Sequence, residues 1–207
     1  AGIRDGLLQL RETVRNIREY VHIVRFLIAR IFYVDGLATL FAFGGVFAAG
    51  SFDFDESDIL FFGIALNITA GLGSFVFSWL DDHVGSQRTI LYSLAGLIFS
   101  GSTLLLAHSE LLFWIAGLIL GIFVGPVQAA SRSYMARVAP PAMVNEMFGL
   151  YAFSGKATSF AGPLLVGWIT FATGSQRIGM SIIIVMFVIG FLLMLTVPRA
   201  DEIKARS

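Results

Sequence analysis

Residues 32–45 read FYVDGLATLFAFGG. Apart from Asp35, the run suits a hydrocarbon environment, and similar residues extend it from roughly 24 to 50. An ionised carboxylate at the bilayer centre costs at least ~2.5–3.5 kcal/mol. Asp35 must therefore be compensated by protein, water or a bound group, so the fold is a membrane fold with something built around one acid.

Composition agrees. Of 207 residues, 57% are hydrophobic and only 14% charged, against about 25% charged in soluble domains. With about 20 apolar residues needed per crossing, six spans emerge, at roughly 24–50, 58–80, 89–107, 111–131, 144–173 and 177–197. Short polar connections join them: FDFDESD, DDHVGSQR, HSE, RSYMARVAPP and GSQR. Backbone amides in lipid must be satisfied within their own segment, so the expected fold is an all-α polytopic membrane protein. Formal net charge is zero and there is no cysteine. Bulk electrostatics points to no nucleic acid, and disulfides, thiolate metal sites and cysteine nucleophiles are excluded.

The connections alternate in charge. Arg4, Arg11, Arg15 and Arg18 precede the first span, Arg88 follows the second, Arg132 and Arg137 the fourth, and Arg199, Lys204 and Arg206 the sixth. The other side holds Asp53, Asp55, Glu56, Asp58 and Glu110, with Arg177 its one clear basic residue. By the positive-inside rule both termini are expected in the cytoplasm. Three regions follow: an amphipathic linker helix over 1–22, a six-helix membrane domain over 23–198 and a cytoplasmic tail over 199–207. Within LLQLRETVRNIREYV, apolar residues recur three and four apart, placing one greasy stripe on a helix. That helix either lies along the membrane face or packs on a partner.

Asp35 lies about a dozen residues into its span, ~17 Å at 1.5 Å per residue. Lys156 stands a similar distance along the fifth span, and Asn67 falls near the same depth in the second. An acid, a base and an amide at one level read as a substrate or coupling site, joined by Gln128 in the fourth span. The competing reading is an Asp35–Lys156 ion pair that only ties helices together. Arg30, two turns shallower, reads as a gate or snorkelling residue. The third and sixth spans carry no charge and are expected to face lipid; the other four face protein or water. Each half thus supplies two lining helices and one outer helix, the pattern of a 3+3 inverted repeat. Gly117, Gly121, Gly125 and Pro126, with Gly162 and Pro163, read as packing stripes or as hinges.

Enzymatic readings fare poorly. His22, His83 and His108 all fall at span ends or in loops, only one acid reaches membrane depth, and no phosphate-cradling loop appears. No motif calls for a cofactor or a metal.

At WLDDHVGSQR (79–88) the chain resembles the major facilitator superfamily. Asp82 and Gly85 fit its loop signature and Arg88 supplies the last basic position, while Ser78 and His83 depart from it. The implied role is a latch holding one side closed, with Arg132 as a further gating residue. FYVDGLATL, GPVQAASRSYMARVAPP and EMFGLYAFSGKATSFAGPLL are similar to the "unknown major facilitator" branch, related to fungal vacuolar amino-acid effluxers. The likeness covers the second six of that family's twelve helices. It implies half of a secondary transporter moving a small solute, amino acids by analogy, through alternating access, with Asp35 expected to bind a proton or a cationic group. It also implies a bacterial inner membrane and, as partner, either an N-terminal half or a second copy in a homodimer. The missing initiator Met favours a fragment. The alternative is a non-transporting membrane scaffold that self-associates.

Overall fold

The computed structural model describes residues 20–204. The expected linker helix lies outside them up to residue 19. Eight helices follow: α1 (Val21–Phe52), α2 (Glu56–Val84), α3 (Ser86–Leu106), α4 (Glu110–Val138), α5 (Val144–Lys156), α6 (Ala161–Thr173), α7 (Gln176–Leu195) and the short α8 (Ala200–Lys204). Their ends obey local chemistry. Asp55 and Asp58 form a reciprocal capping box at the start of α2, with N–H to carboxylate distances of 2.8 and 3.2 Å. Ser109 and Ser175 accept the first free N–H groups of α4 and α7. Each relieves donors that a helix start otherwise leaves unbonded.

Five helical stretches are long and apolar enough to cross a membrane, which establishes an integral membrane protein. The fifth crossing, expected as one helix over 144–173, is instead α5 and α6 in series, 13 residues each. At about 20 Å apiece, neither spans alone. The reason is Pro163, which has no N–H to offer the Ser159 carbonyl and whose ring crowds it. Tight turns take over the break: Ser159 donates to Lys156 O through its hydroxyl at 3.0 Å, and Ala161 N–H donates to Thr158 O at 2.9 Å. By contrast, Pro126 does not end the fourth span, and α4 runs through it to Val138. Pro126 frees the carbonyl of Ile122, and Gly73 of α2 packs on that same oxygen, with no room for a side chain.

The helices form two layers. α2, α4, α1 and the α5–α6 pair stand side by side, and α3 and α7 pack behind them and against each other. Exchanging α1, α2 and α3 for α4, α5–α6 and α7 maps the contact pattern onto itself: α1 on α7 becomes α4 on α3, and α2 on α4 becomes α5–α6 on α1. Three crossings separate each exchanged pair, so the copies are inverted in the membrane. This is an all-α membrane fold of the major facilitator kind, with the third and sixth spans together in the second layer. Only 11% of the most apolar stretch of α2 is buried, against 44% in α1, α3 and α4.

The two ends of the bundle differ. One gathers Arg25, Arg88, Arg137 and Arg199 around a common cavity. The other carries a cluster of rings, Phe47, Phe52, Phe54, Phe62, Phe113 and Trp114. There Arg177 donates to the Leu105 carbonyl at 2.7 Å, a cation at the C-terminal end of α3 where the helix dipole favours it.

Candidate functional site

Asp35 and Arg30 sit five residues apart on α1, about 7.5 Å along the axis, and both are buried. They address the two sides of the break in the fifth span. Arg30 Nη1 donates to the Tyr151 carbonyl at 2.7 Å and to Ser154 Oγ at 2.8 Å. Its guanidinium also lies 3.6 Å from the centre of the Tyr151 ring. These partners belong to the last turns of α5, the negative end of that helix dipole. Asp35 Oδ2 accepts from Gly162 N–H at 2.9 Å, a donor in the first turn of α6, the positive end. A cation thus meets the end of one half-helix and an anion the start of the next, each with favourable sign. Gly155 and Gly162 permit this approach, since a side chain at either would run into Arg30 or into Thr39 and Asp35.

The clasp is not fully satisfied. Asp35 Oδ1 and Arg30 Nε are buried and have no hydrogen-bond partner among the described residues. A buried charged atom without a partner is costly, so this is where a proton, a water or a ligand group gains most. Beside it, Thr39 donates to the Asp35 carbonyl at 2.7 Å, and Tyr33 and Ser131 share a 2.7 Å hydroxyl contact that joins α1 to α4.

The other expected site residues are not gathered here. Lys156 is exposed and makes no ion pair with Asp35. It ends α5, and the neighbouring Ser154 and Gly155 take the face turned to Arg30. Asn67 is exposed on α2, where its amide donates to Gly63 O at 2.8 Å beside a shallow apolar groove. α4 stands between α2 and the clasp, so common depth did not bring Asn67 to Asp35. Gln128 is likewise exposed.

The latch is built from different atoms than the signature implies. Arg137 lies 3.4 Å from the buried Asp81 carboxylate and 3.5 Å from exposed Asp82, tying α4 to α2. Asp81 went unread in the sequence because adjacent acids cannot be told apart without the helix register, and Arg137 was read there only for orientation. Gly85 does serve the turn, joining α2 to α3 at φ 88° and ψ 151°, a conformation essentially restricted to glycine. Arg88 lines the cavity at this end, and Arg132 is exposed. Gly117, Gly121 and Gly125 are packing residues, seating Phe62, Thr69 and Ala70 of α2. Gly162 and Pro163 restart a helix.

The family described as "Vacuole effluxer Atg22 like" matches residues 2–206. The chain belongs to that Atg22-like family. An uncharacterized MFS-type transporter of Bacillus subtilis, YxiO, is 30% identical over 202 residues, covering 94% of this chain and 45% of its own. Autophagy-related protein 22 of Candida glabrata is 27% identical over 224 residues, 99% of this chain and 41% of that protein. The protein of the same name from Saccharomyces cerevisiae is 23% identical over 186 residues, 83% and 35% of the two. The chain therefore spans less than half the length of these Atg22-like relatives.

Proposed function

We propose that the chain is a six-span half of a secondary transporter that moves a small solute, amino acids as the substrate class, by alternating access. One observation carries the reading: a broken membrane helix whose two facing ends are held by a buried arginine and a buried aspartate of its neighbour. Discontinuous helices with charged partners at their ends are how many transporters build midplane sites. Membership in the Atg22-like family and the inverted repeat support the same reading. Nothing in it calls for an enzymatic reaction.

The coupling step follows from the clasp. While Asp35 is ionised, its bond to Gly162 N–H is charge-assisted, roughly twice as strong as a neutral one. A proton, or the cationic group of a solute, arriving at Oδ1 neutralises the carboxylate and weakens the hold on α6. That half-helix then pivots on residues 157–160, while α5 stays tied to Arg30. The second six-span half that completes the pathway is an N-terminal half or a second copy, in a bacterial inner membrane with both termini cytoplasmic. The test is flux of a panel of amino acids into proteoliposomes, with and without a pH gradient, using the transporter with both halves present. Asp35→Asn should reach the membrane folded yet lose gradient-driven movement. Uphill movement by Asp35→Asn at the wild-type rate removes the coupling role.

A further inference from the structure

Away from the clasp, a cavity of about 1340 Å³ opens at the arginine-bearing end of the bundle, between α1, α3, α4 and the segment joining α7 to α8. Arg25, Arg88, Arg137 and Arg199 all face it, and Glu202 is the one acid among its lining residues. Arg137 is engaged by Asp81 and Asp82, and Arg199 lies 3.8 Å from Glu202. Arg25 and Arg88 make no hydrogen bond or ion pair among the described residues. Arg25 is exposed and Arg88 half-buried, so both guanidiniums are open to an anion entering the cavity. The opposite character lies beside them: Leu91, a turn further into α3 than Arg88, and Leu195 at the end of α7 line the same space. A wall that is cationic at the bundle end and apolar toward the spans matches a molecule with an anionic head and a greasy tail. Arginine presents a fork of donors suited to phosphate oxygens.

We propose that this cavity binds the phosphate of an anionic phospholipid, its head group on Arg25 and Arg88 and an acyl chain along Leu91 and Leu195. It uses none of the clasp residues around Asp35 and Arg30.

The test uses the full chain in nanodiscs of phosphatidylcholine, with or without phosphatidylglycerol, reading retained lipid by native mass spectrometry and thermal stability by unfolding. Wild type should retain phosphatidylglycerol in preference to phosphatidylcholine and melt higher with it. Arg25→Gln with Arg88→Gln should cut that retention roughly 25-fold, about a factor of five per arginine. Arg132→Gln, outside the cavity, should not. Glu202→Gln removes the opposing charge and should raise retention, and Arg25→Lys with Arg88→Lys should keep part of it. These last two decide the matter even where the double glutamine variant fails to fold. Equal retention of both lipids by wild type, or no gain in Glu202→Gln, overturns the proposal. So does stabilisation by inorganic phosphate in phosphatidylcholine discs where phosphatidylglycerol gives none, which would make the ligand a soluble phosphate.

Discussion

At the scale of single residues, Asp35 carries the most consequence and the sharpest test. Its carboxylate is the acceptor for a buried backbone donor, Gly162 N–H. Removing that acceptor strands the donor at a cost of about 1–3 kcal/mol. Asp35→Ala should therefore lower the unfolding temperature in detergent clearly more than Asp35→Asn, whose amide oxygen still accepts. Equal melting of the two variants would show that the bond does not hold α6. Gly85→Ala is a separate case, since φ 88° with ψ 151° is strained for any other residue. A loss of about 1–3 kcal/mol is expected, measured by the same melting experiment. Asp35 was conspicuous in the sequence because a lone acid contradicts its surroundings. Its partner was not, because a backbone N–H has no letter of its own and is freed only by the break that Pro163 imposes. Lys156 was chosen by depth alone, and depth says nothing of which way a helix turns a side chain.

Among elements, the seam between α2 and α4 decides whether the least buried helix stays attached. Along it, Gly117, Gly121 and Gly125 meet Phe62, Thr69 and Ala70, and Gly73 meets the Ile122 carbonyl from the other side. Without a hydrophobic drive between helices in lipid, such close backbone approach supplies much of the association. Gly125→Leu should push the helices apart, at a cost of about 1–3 kcal/mol. Hydrogen exchange should quicken along α2 while α1 and α7 keep their protection, because those two pack on each other through Gly36 and Gly190. A uniform rise across all helices would mean the bundle unfolds as one and the seam has no local role. The four-residue spacing of these glycines was readable in the sequence as a stripe. Which helix it served was not, since that depends on the inverted pairing of the two halves. The number and order of crossings were legible too, from apolar length and alternating charge. The interruption of the fifth was visible only as Gly162 and Pro163, residues that equally mark a kink.

At the scale of the molecule, the layered arrangement leaves one face of the four-span row uncovered among the described residues. α2 makes this plain: Phe61, Ile64, Ile68, Leu72, Phe75 and Trp79 recur three and four apart and are all exposed. In a membrane a stripe with that period meets either lipid tails or another helix, both equally apolar, and cross-linking tells the two apart. The expected occupant is another six-span bundle, contacting through the first, second, fourth and fifth spans. The chain has no cysteine, so a single introduced thiol reports contacts without background. In proteoliposomes, Leu72→Cys should cross-link to a second copy with a short bis-maleimide. Phe99→Cys, also exposed but on α3 in the second layer, should not, because that layer is expected to face lipid. Equal cross-linking of the two would point to random collision in the membrane. A strictly monomeric species by light scattering in mild detergent, with neither variant cross-linked, would mean that the α2 stripe contacts lipid or an N-terminal half instead of a second copy.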